Sequence, residues 1–569
     1  MKQFLLIVNL LLLAILLNAQ TPTATWGSPF TIKKGEASLQ IIEANKDGVF
    51  AKESHYIKGG FFNNKLTEVA TLIKCDNDLN QTFTNDFSSE LKDKAFDRFF
   101  SIKNKLYLLA TTYNKNNMTL ALLSAEVNKN SGALASDWVE ITSWTKAEKD
   151  DDIDYQVSYN YDKTKMVVVS SITGKAKSNY ELKVYSENMI SAGGSLSINE
   201  AFETDLSRLE DIVYTSAGNI VLVKKIMEYK DGKSKKTKNL YFKKYNISIY
   251  DKTGKLIKEI NTEIEGKYIT STKVMQIENK DLVLAAFYSN TKGSNEVNGI
   301  FVQRINATKG DIISTAKKEI STQQITKVAN NNPLMENETA AESIERQRLE
   351  WIQKNEYGFN KFMQIRNFIY CQDKGIVIIA EEYARFSYTN FSNNYGGIVG
   401  IVSSASKTYE VIESGDILMC KVKLDGNLDW LHVLPKYQRE VNLIGLGSGV
   451  INFNSYFNPA NTRPFYSGMA MVQKGNIVNI IFNDSDKNLR ILQPGQTPAR
   501  VSKFLNTDCF NVALQTSTGS YSRNKLFSNG INPTAMPRLG SVLNNNLYLI
   551  GKEDKVGSKT KVALARLSF

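Results

Sequence analysis

NKDLVLAAFY (Asn279–Tyr288) and DKGIVIIAEEY (Asp373–Tyr383) decide the fold: each is a polar turn running straight into an apolar strand. The same phrase stands at DGVFAKES (Asp47–Ser54), KNKLYLLATTY (Lys103–Tyr113), KTKMVVVSS (Lys163–Ser171) and AGNIVLVKKI (Ala217–Ile226). It returns at KGNIVNIIFND (Lys474–Asp484) and NNNLYLIGKE (Asn544–Glu553). A second phrase follows some copies, as in EVATLIKCDNDLNQTFT (Glu68–Thr84), ISIYDKTGKLIKEI (Ile247–Ile260), IFVQRINATKGDIIST (Ile300–Thr315) and ILMCKVKLDGNLDWLHVL (Ile417–Leu434). Here period-two alternation enters an Asp/Asn/Gly/Lys turn and leaves it again, the pattern of an antiparallel hairpin. The whole unit recurs every ~45–60 residues, a spacing that in an all-β chain means propeller blades.

Eight copies predict eight blades, with seven as the alternative if Ile451–Lys525 hides something other than one blade. The chain stops on a strand, KVALARLSF (Lys561–Phe569), and SPFTIKK (Ser28–Lys34) is a strand with no hairpin partner. Pairing the two closes the ring and removes an exposed sheet edge. One departure is NNPLMENETAAESIERQRLEWIQKNEYGFN (Asn331–Asn360), in which Thr339 and Glu342 make a capping box and Gly358 a stop. It predicts one inserted helix near residues 339–354, carrying Trp351.

Met1–Gln20 reads as a secretory signal, with Lys2 ahead of an apolar run and cleavage expected after Ala19. Residues 20–569 then form a single propeller domain. No later stretch approaches the roughly 18 apolar residues that span a bilayer. The formal net charge is +12 and the pI about 9.1, a balance that would suit nucleic acid. Export argues against that partner. The densest basic run, Lys224–Lys244, reads either as a solvated hairpin tip or as a contact for anionic glycolipid. The four cysteines make no disulfide framework. Cys371 and Cys420 fall in one blade and could pair, but the expectation is no disulfide.

For catalysis the inventory is thin. The two histidines, His55 and His432, lie in distant copies, and no HExxH or G-x-S-x-G occurs. GLGSGV (Gly445–Val450) is neither a phosphate loop nor a dinucleotide fingerprint. The acidic runs Asp150–Asp154 and Asn483–Asn488 offer carboxylates at alternate positions but lack the glycine of a calcium loop. No cofactor or metal is expected, calcium being the only ion the residues suggest. Aromatics gather instead in two presumed loops, residues 381–402 and 451–469. Tyr383, Phe386, Tyr388, Phe391, Tyr456 and Phe457, with Trp351 of the insertion, are the candidate partner-binding residues.

Strand-and-turn units of the ISIYDKTGKLI and NDSDKNL kind resemble uncharacterised secreted bacterial β-propellers found alongside type IX secretion systems. The resemblance covers most of the chain after the leader and carries no active site. It implies a periplasmic protein, or one at the cell surface, docked on a protein partner at the outer membrane. The resulting expectation is a non-catalytic protein-binding scaffold. A glycan-binding propeller, or a hydrolase or lyase on the same fold, is the alternative.

Overall fold

The computed structural model describes residues 22–32, 38–58, 66–160, 163–173, 178–191, 196–198, 206–229, 240–261, 264–277, 281–291, 297–320, 362–392, 405–446, 466–492, 496, 498–553 and 561–569. These form eight antiparallel sheets in chain order. Blades one to four occupy Ser38–Asp86, Ala95–Thr145, Asp152–Ile198 and Ser207–Asn261. Blades five to seven occupy Tyr268–Glu319, Phe362–Leu446 and Met469–Ser528. Blade eight combines Thr534–Ser568 with the N-terminal strands Thr23–Trp26 and Phe30–Thr31, both paired to Lys561–Ser568. Eight blades and closure by the N-terminal segment are therefore what the chain shows. The irregular stretch after Ile451 contains the seventh blade, starting at Met469.

Packing explains why the second strand of each blade reads as an unbroken apolar run. Such a strand is buried on both faces, and side chains alternate between them. In blade five, Val283, Ala285 and Phe287 pack towards blade six, while Leu282, Leu284, Ala286 and Tyr288 pack towards blade four. Every interface between neighbours has its own apolar cluster, from blades one and two round to blades eight and one. The last of these joins Phe30, Ile32 and Leu564 to Leu39, Ile41 and Ile73, so the ring is closed by a core as well as by a ladder.

Antiparallel order also fixes which connections share a face. The link from one blade to the next and the hairpin between a blade's second and third strands lie at the same end of the ring; the other two hairpins lie opposite. Residues 321–361, 393–404 and 447–465 are all connections of the first kind. Their described ends leave from one face of blades five to seven, called here the upper face. Their own course, including the expected helix with Trp351 and the residues Tyr456 and Phe457, lies outside the described residues.

One expectation is corrected. Residues 381–392 are not loop: Ile376–Ser392 is a single 17-residue strand paired with the 18-residue strand Ala405–Val422. Tyr383, Phe386, Tyr388 and Phe391 are strand positions, with Tyr388 opposite Tyr409 and Phe391 opposite Ser406. The physical reason lies in composition, since aromatic residues, Thr and Ser with no intervening Gly or Pro suit a pleated ladder. A bulge at Gly415–Asp416 lets the hairpin run on beyond the ring. Its far half gains a third strand, Gln438–Leu446, so blade six carries a three-stranded arm on the upper face.

Candidate functional site

Blade six sends Val377 and Ile379 towards blade seven. The next position in that alternation is Glu381, a carboxylate with no solvent exposure. Its burial is tolerable because both oxygens are met by cations. Oε1 accepts from Lys436 Nζ at 2.7 Å and Oε2 from Arg366 Nε at 2.8 Å. Arg366 is the extra residue of a bulge in the innermost strand, Phe362–Tyr370, where the ladder steps from Ile365 to Asn367. Bulges of this kind re-aim a side chain.

Lys436 comes from a break in the outer strand. Pro435 cannot donate to a ladder, and pairing passes from Leu428–Leu434 to Gln438–Leu446 across residues 435–437. Blade seven fastens that break through Arg439 N to Val501 O at 2.8 Å and Val501 N to Tyr437 O at 2.9 Å. Gln438 Oε1 accepts from Lys436 Nζ at 3.0 Å and from Gly468 N at 2.8 Å, and its Nε2 donates to Asn483 O at 2.6 Å. Two residues on, Glu440 Oε2 accepts three donors: Tyr466 N at 2.9 Å, Ser467 N at 3.0 Å and Ser467 Oγ at 3.0 Å. Its Oε1 is buried and has no hydrogen-bond partner.

In front of this buried layer stands Tyr383, half-buried, with Arg366 at 5.1 Å and Arg538 at 4.5 Å from its ring centroid. Both arginines are half-buried as residues, with Arg366 Nη2 and Arg538 Nη1 buried. Arg538 belongs to a short turn, Pro537–Leu539, in the innermost segment of blade eight. Gly468, at φ +89°, leaves it room: a Cβ there would lie 3.3 Å from Arg538 Cδ, in a conformation that disfavours any side chain. The site thus draws on the inner, second and outer strands of blade six and on segments of blades seven and eight.

Electrostatics separate the carboxyls. Burial would raise Glu381, but Lys436 and Arg366 outweigh it and bring its pKa to about 2. Burial raises Glu440 to about 7, tempered by the Ser467 and Tyr466 hydrogen bonds and by Arg538. Burial and then the neighbouring charge of Glu382 raise Asp416 to about 8. At neutral pH the layer therefore holds one fixed carboxylate and two carboxyls that retain a proton much of the time.

A stability signature follows. Between the unfolded carboxyl range and the raised native pKa values, the folded chain binds more protons than the unfolded one, so stability falls as pH rises from about 4.5 to about 8. Each group contributes about 1.4 kcal/mol per pH unit across its own window. Glu440→Gln, which keeps size and hydrogen bonding, is expected to flatten the slope between about pH 4.5 and 7 and to be the more stable protein at pH 9. Urea denaturation midpoints at pH 5, 7 and 9 check this, and an unchanged slope would refute it.

The other sequence candidates resolve unevenly. Tyr383 is part of the site; the side chains of Phe386, Tyr388 and Phe391 lie outside the described set. In the basic run, Lys224 is buried in a strand of blade four and Lys243 faces Glu228 at 3.7 Å. Residues 230–239 of that run are outside the described residues. In the acidic runs, Asp151 accepts from Ala147 N and Glu148 N, while Asp484 is buried against Arg523 and Asn488. His432 stacks on Trp430, and burial lowers its pKa. All four cysteines are buried free thiols. Burial pushes Cys75 and Cys420 up to about 12, which leaves no thiolate for nucleophilic chemistry.

No protein-family model and no curated protein matches the chain. Solved structures do. A polysaccharide lyase, Uly1, is 9% identical over 83% of this chain and 89% of its own, with a TM-score of 0.34. The β-propeller domain of the Trilobed protease of Pyrococcus furiosus, described as having an open velcro topology, is 9% identical over 70% and 98%, with a TM-score of 0.30. An α-L-arabinanase of Penicillium chrysogenum complexed with arabinobiose is 9% identical over 52% and 98%, with a TM-score of 0.28. The likeness is one of fold. The expectation of a non-catalytic chain is withdrawn, since the solved structures the chain resembles include enzymes, the lyase and the arabinanase. That expectation rested on missing His, Cys and Ser motifs, and cleaving a glycosidic bond requires only carboxyl groups.

Proposed function

We propose that the chain is a glycan-active propeller whose ligand lies on the upper face of blades six to eight, with Glu440 as the proton donor. The observation that carries this is the state of Glu440. It is a buried carboxyl poised near neutral pH, with one oxygen saturated by three donors and the other without a partner. A carboxyl so placed can hand its proton to a departing glycosidic oxygen as the C–O bond breaks, while water adds at the anomeric carbon and the proton it releases restores the carboxyl. Glu381 holds Arg366 and Lys436 in place and is a positioning residue.

Turnover of a polysaccharide panel by the wild type and by Glu440→Gln is the test. The reading requires cleavage by the first, declining above about pH 7, and a large loss in the second. Export on the Met1–Ala19 leader fits a polymeric substrate met outside the cytoplasm. N-terminal sequencing that reads from Met1 instead of Gln20 would count against that part. A protein partner on the same face is the second reading, favoured by the three-stranded arm of blade six. Capture of an envelope protein by a chain that binds no glycan would bring it forward.

A further inference from the structure

We infer that the three-stranded arm of blade six is a hinged lid on the upper face, latched to blade seven through Glu440 and released when that carboxyl ionises. The motion needs no glycan and would hold for either reading of the ligand. All three strands that pass from the ring into the arm are broken at one level. Pairing of Ile376–Ser392 with Ala405–Val422 steps from Glu381 opposite Ile417 to Tyr383 opposite Ser414, which leaves Glu382, Gly415 and Asp416 out of the ladder. The outer strand breaks at the same place. Leu434 pairs with Ile417 and Gln438 with Ser414, while residues 435–437 pair with neither. Pro435 has no N–H to give a ladder. Among the described residues the innermost strand reaches only to Tyr383, opposite Phe362, and lends the arm no ladder beyond it. A sheet interrupted at one level in all three strands bends there more readily than along an unbroken ladder.

The contacts that Tyr437, Gln438 and Arg439 make with blade seven lie beside this break and form the pivot. Glu440 is the next residue out, and its Oε2 accepts from Tyr466 N, Ser467 N and Ser467 Oγ. Beyond it Val441 is exposed, and among the described residues the arm's strands pair only with one another. Arg538 of blade eight faces Glu440, whereas Glu382 and Lys436 face Asp416. Lys436 in turn answers Glu381 and Asp484, and Arg439 lies 3.8 Å from Glu413 inside the arm. Burial outweighs Arg538 and the three donors, so the latched Glu440 keeps its proton up to about pH 7. Freed into water, it ionises in the ordinary range near 4.5. The latched state therefore binds more protons than the released one. Rising pH favours release by about tenfold per unit between those two values. Asp416, which sits in the break and accepts from Lys436 N at 3.0 Å, is raised in the same sense.

The test is hydrogen exchange of the whole protein, read by mass spectrometry at pH 5, 6 and 7 and corrected for the intrinsic rate at each pH. Peptides covering residues 384–392, 405–414 and 438–446 report the arm, and peptides of blade two report the ring. Arm protection is expected to lie below that of blade two and to be shared by the three segments. It should fall about thirtyfold or more from pH 5 to pH 7. Glu440→Gln, which cannot ionise, is expected to remove about that much of the fall. Ser467→Ala, which takes away one of the three donors, is expected to lower arm protection at every pH and leave blade two unchanged. An arm as well protected as blade two, or one whose protection does not fall with pH, would overturn the hinge. A fall undiminished in Glu440→Gln, or an arm indifferent to Ser467→Ala, would place the latch elsewhere and overturn it as well. Should Glu440→Gln not fold, the wild-type series and Ser467→Ala still decide.

Discussion

Removing Pro22–Thr31 is expected to yield a chain that aggregates on refolding and shows no cooperative melting transition. The segment does three jobs at once. It is the outer ladder partner of Lys561–Ser568, and without it that strand becomes a bare edge. Phe30 also fills the core between blades eight and one. Trp26 lies edge-on to Phe527 of blade seven at 5.3 Å and covers Gly551, where a Cβ would come within 2.5 Å of the indole. Losing a large buried aromatic alone costs about 3–5 kcal/mol, and native domains have only about 5–15 kcal/mol in hand. Phe30→Ala, which keeps the ladder, should be less severe and still cooperative. Normal melting of the deleted chain would mean that the ring is closed by something else.

Lys436→Met is expected to cost about 3–5 kcal/mol, because it leaves Glu381 buried with one cation where it had two. Arg366 would still hold Oε2, but Oε1 would face the apolar ring of Phe482, over which Lys436 Nζ now sits at 5.9 Å. Adding Glu381→Gln should recover much of the loss, since the uncompensated charge goes with it. The coupling between the two changes is read from urea denaturation of the four proteins in the cycle. Additive effects would show that the two side chains are not coupled within blade six. The same layer is thus expected to serve stability and chemistry together, which is why the catalytic test uses an isosteric change at Glu440.

Much of the ring could be read from the chain because its physics is local. Eight turn-and-strand phrases place eight second strands, and SPFTIKK announces a strand in want of a partner. The error at residues 381–392 came from treating aromatics beyond the apolar run as loop, when aromatic, Thr and Ser residues prolong a strand equally well. The site was harder to see. Glu381 does carry a signal, since it continues the alternation of Val377 and Ile379, but the EEY in which it stands looks like a hairpin end. Lys436 and Glu440 sit in PKYQREV, a polar stretch with the composition of a turn. What buries them is blade seven, and nothing local to the stretch encodes that. Arg538 arrives from some 150 residues further along the chain than Tyr383, and only the curvature of the ring from blade six to blade eight brings them together.

The most direct measurement is the release of new chain ends from a panel of acidic and neutral polysaccharides, by the wild type and by Glu440→Gln, each first shown to be folded. The account predicts turnover of at least one polymer by the wild type and a loss of about a hundredfold or more in the variant, with binding retained. A wild type that cleaves none of them, or a variant that cleaves as fast as its parent, would contradict it.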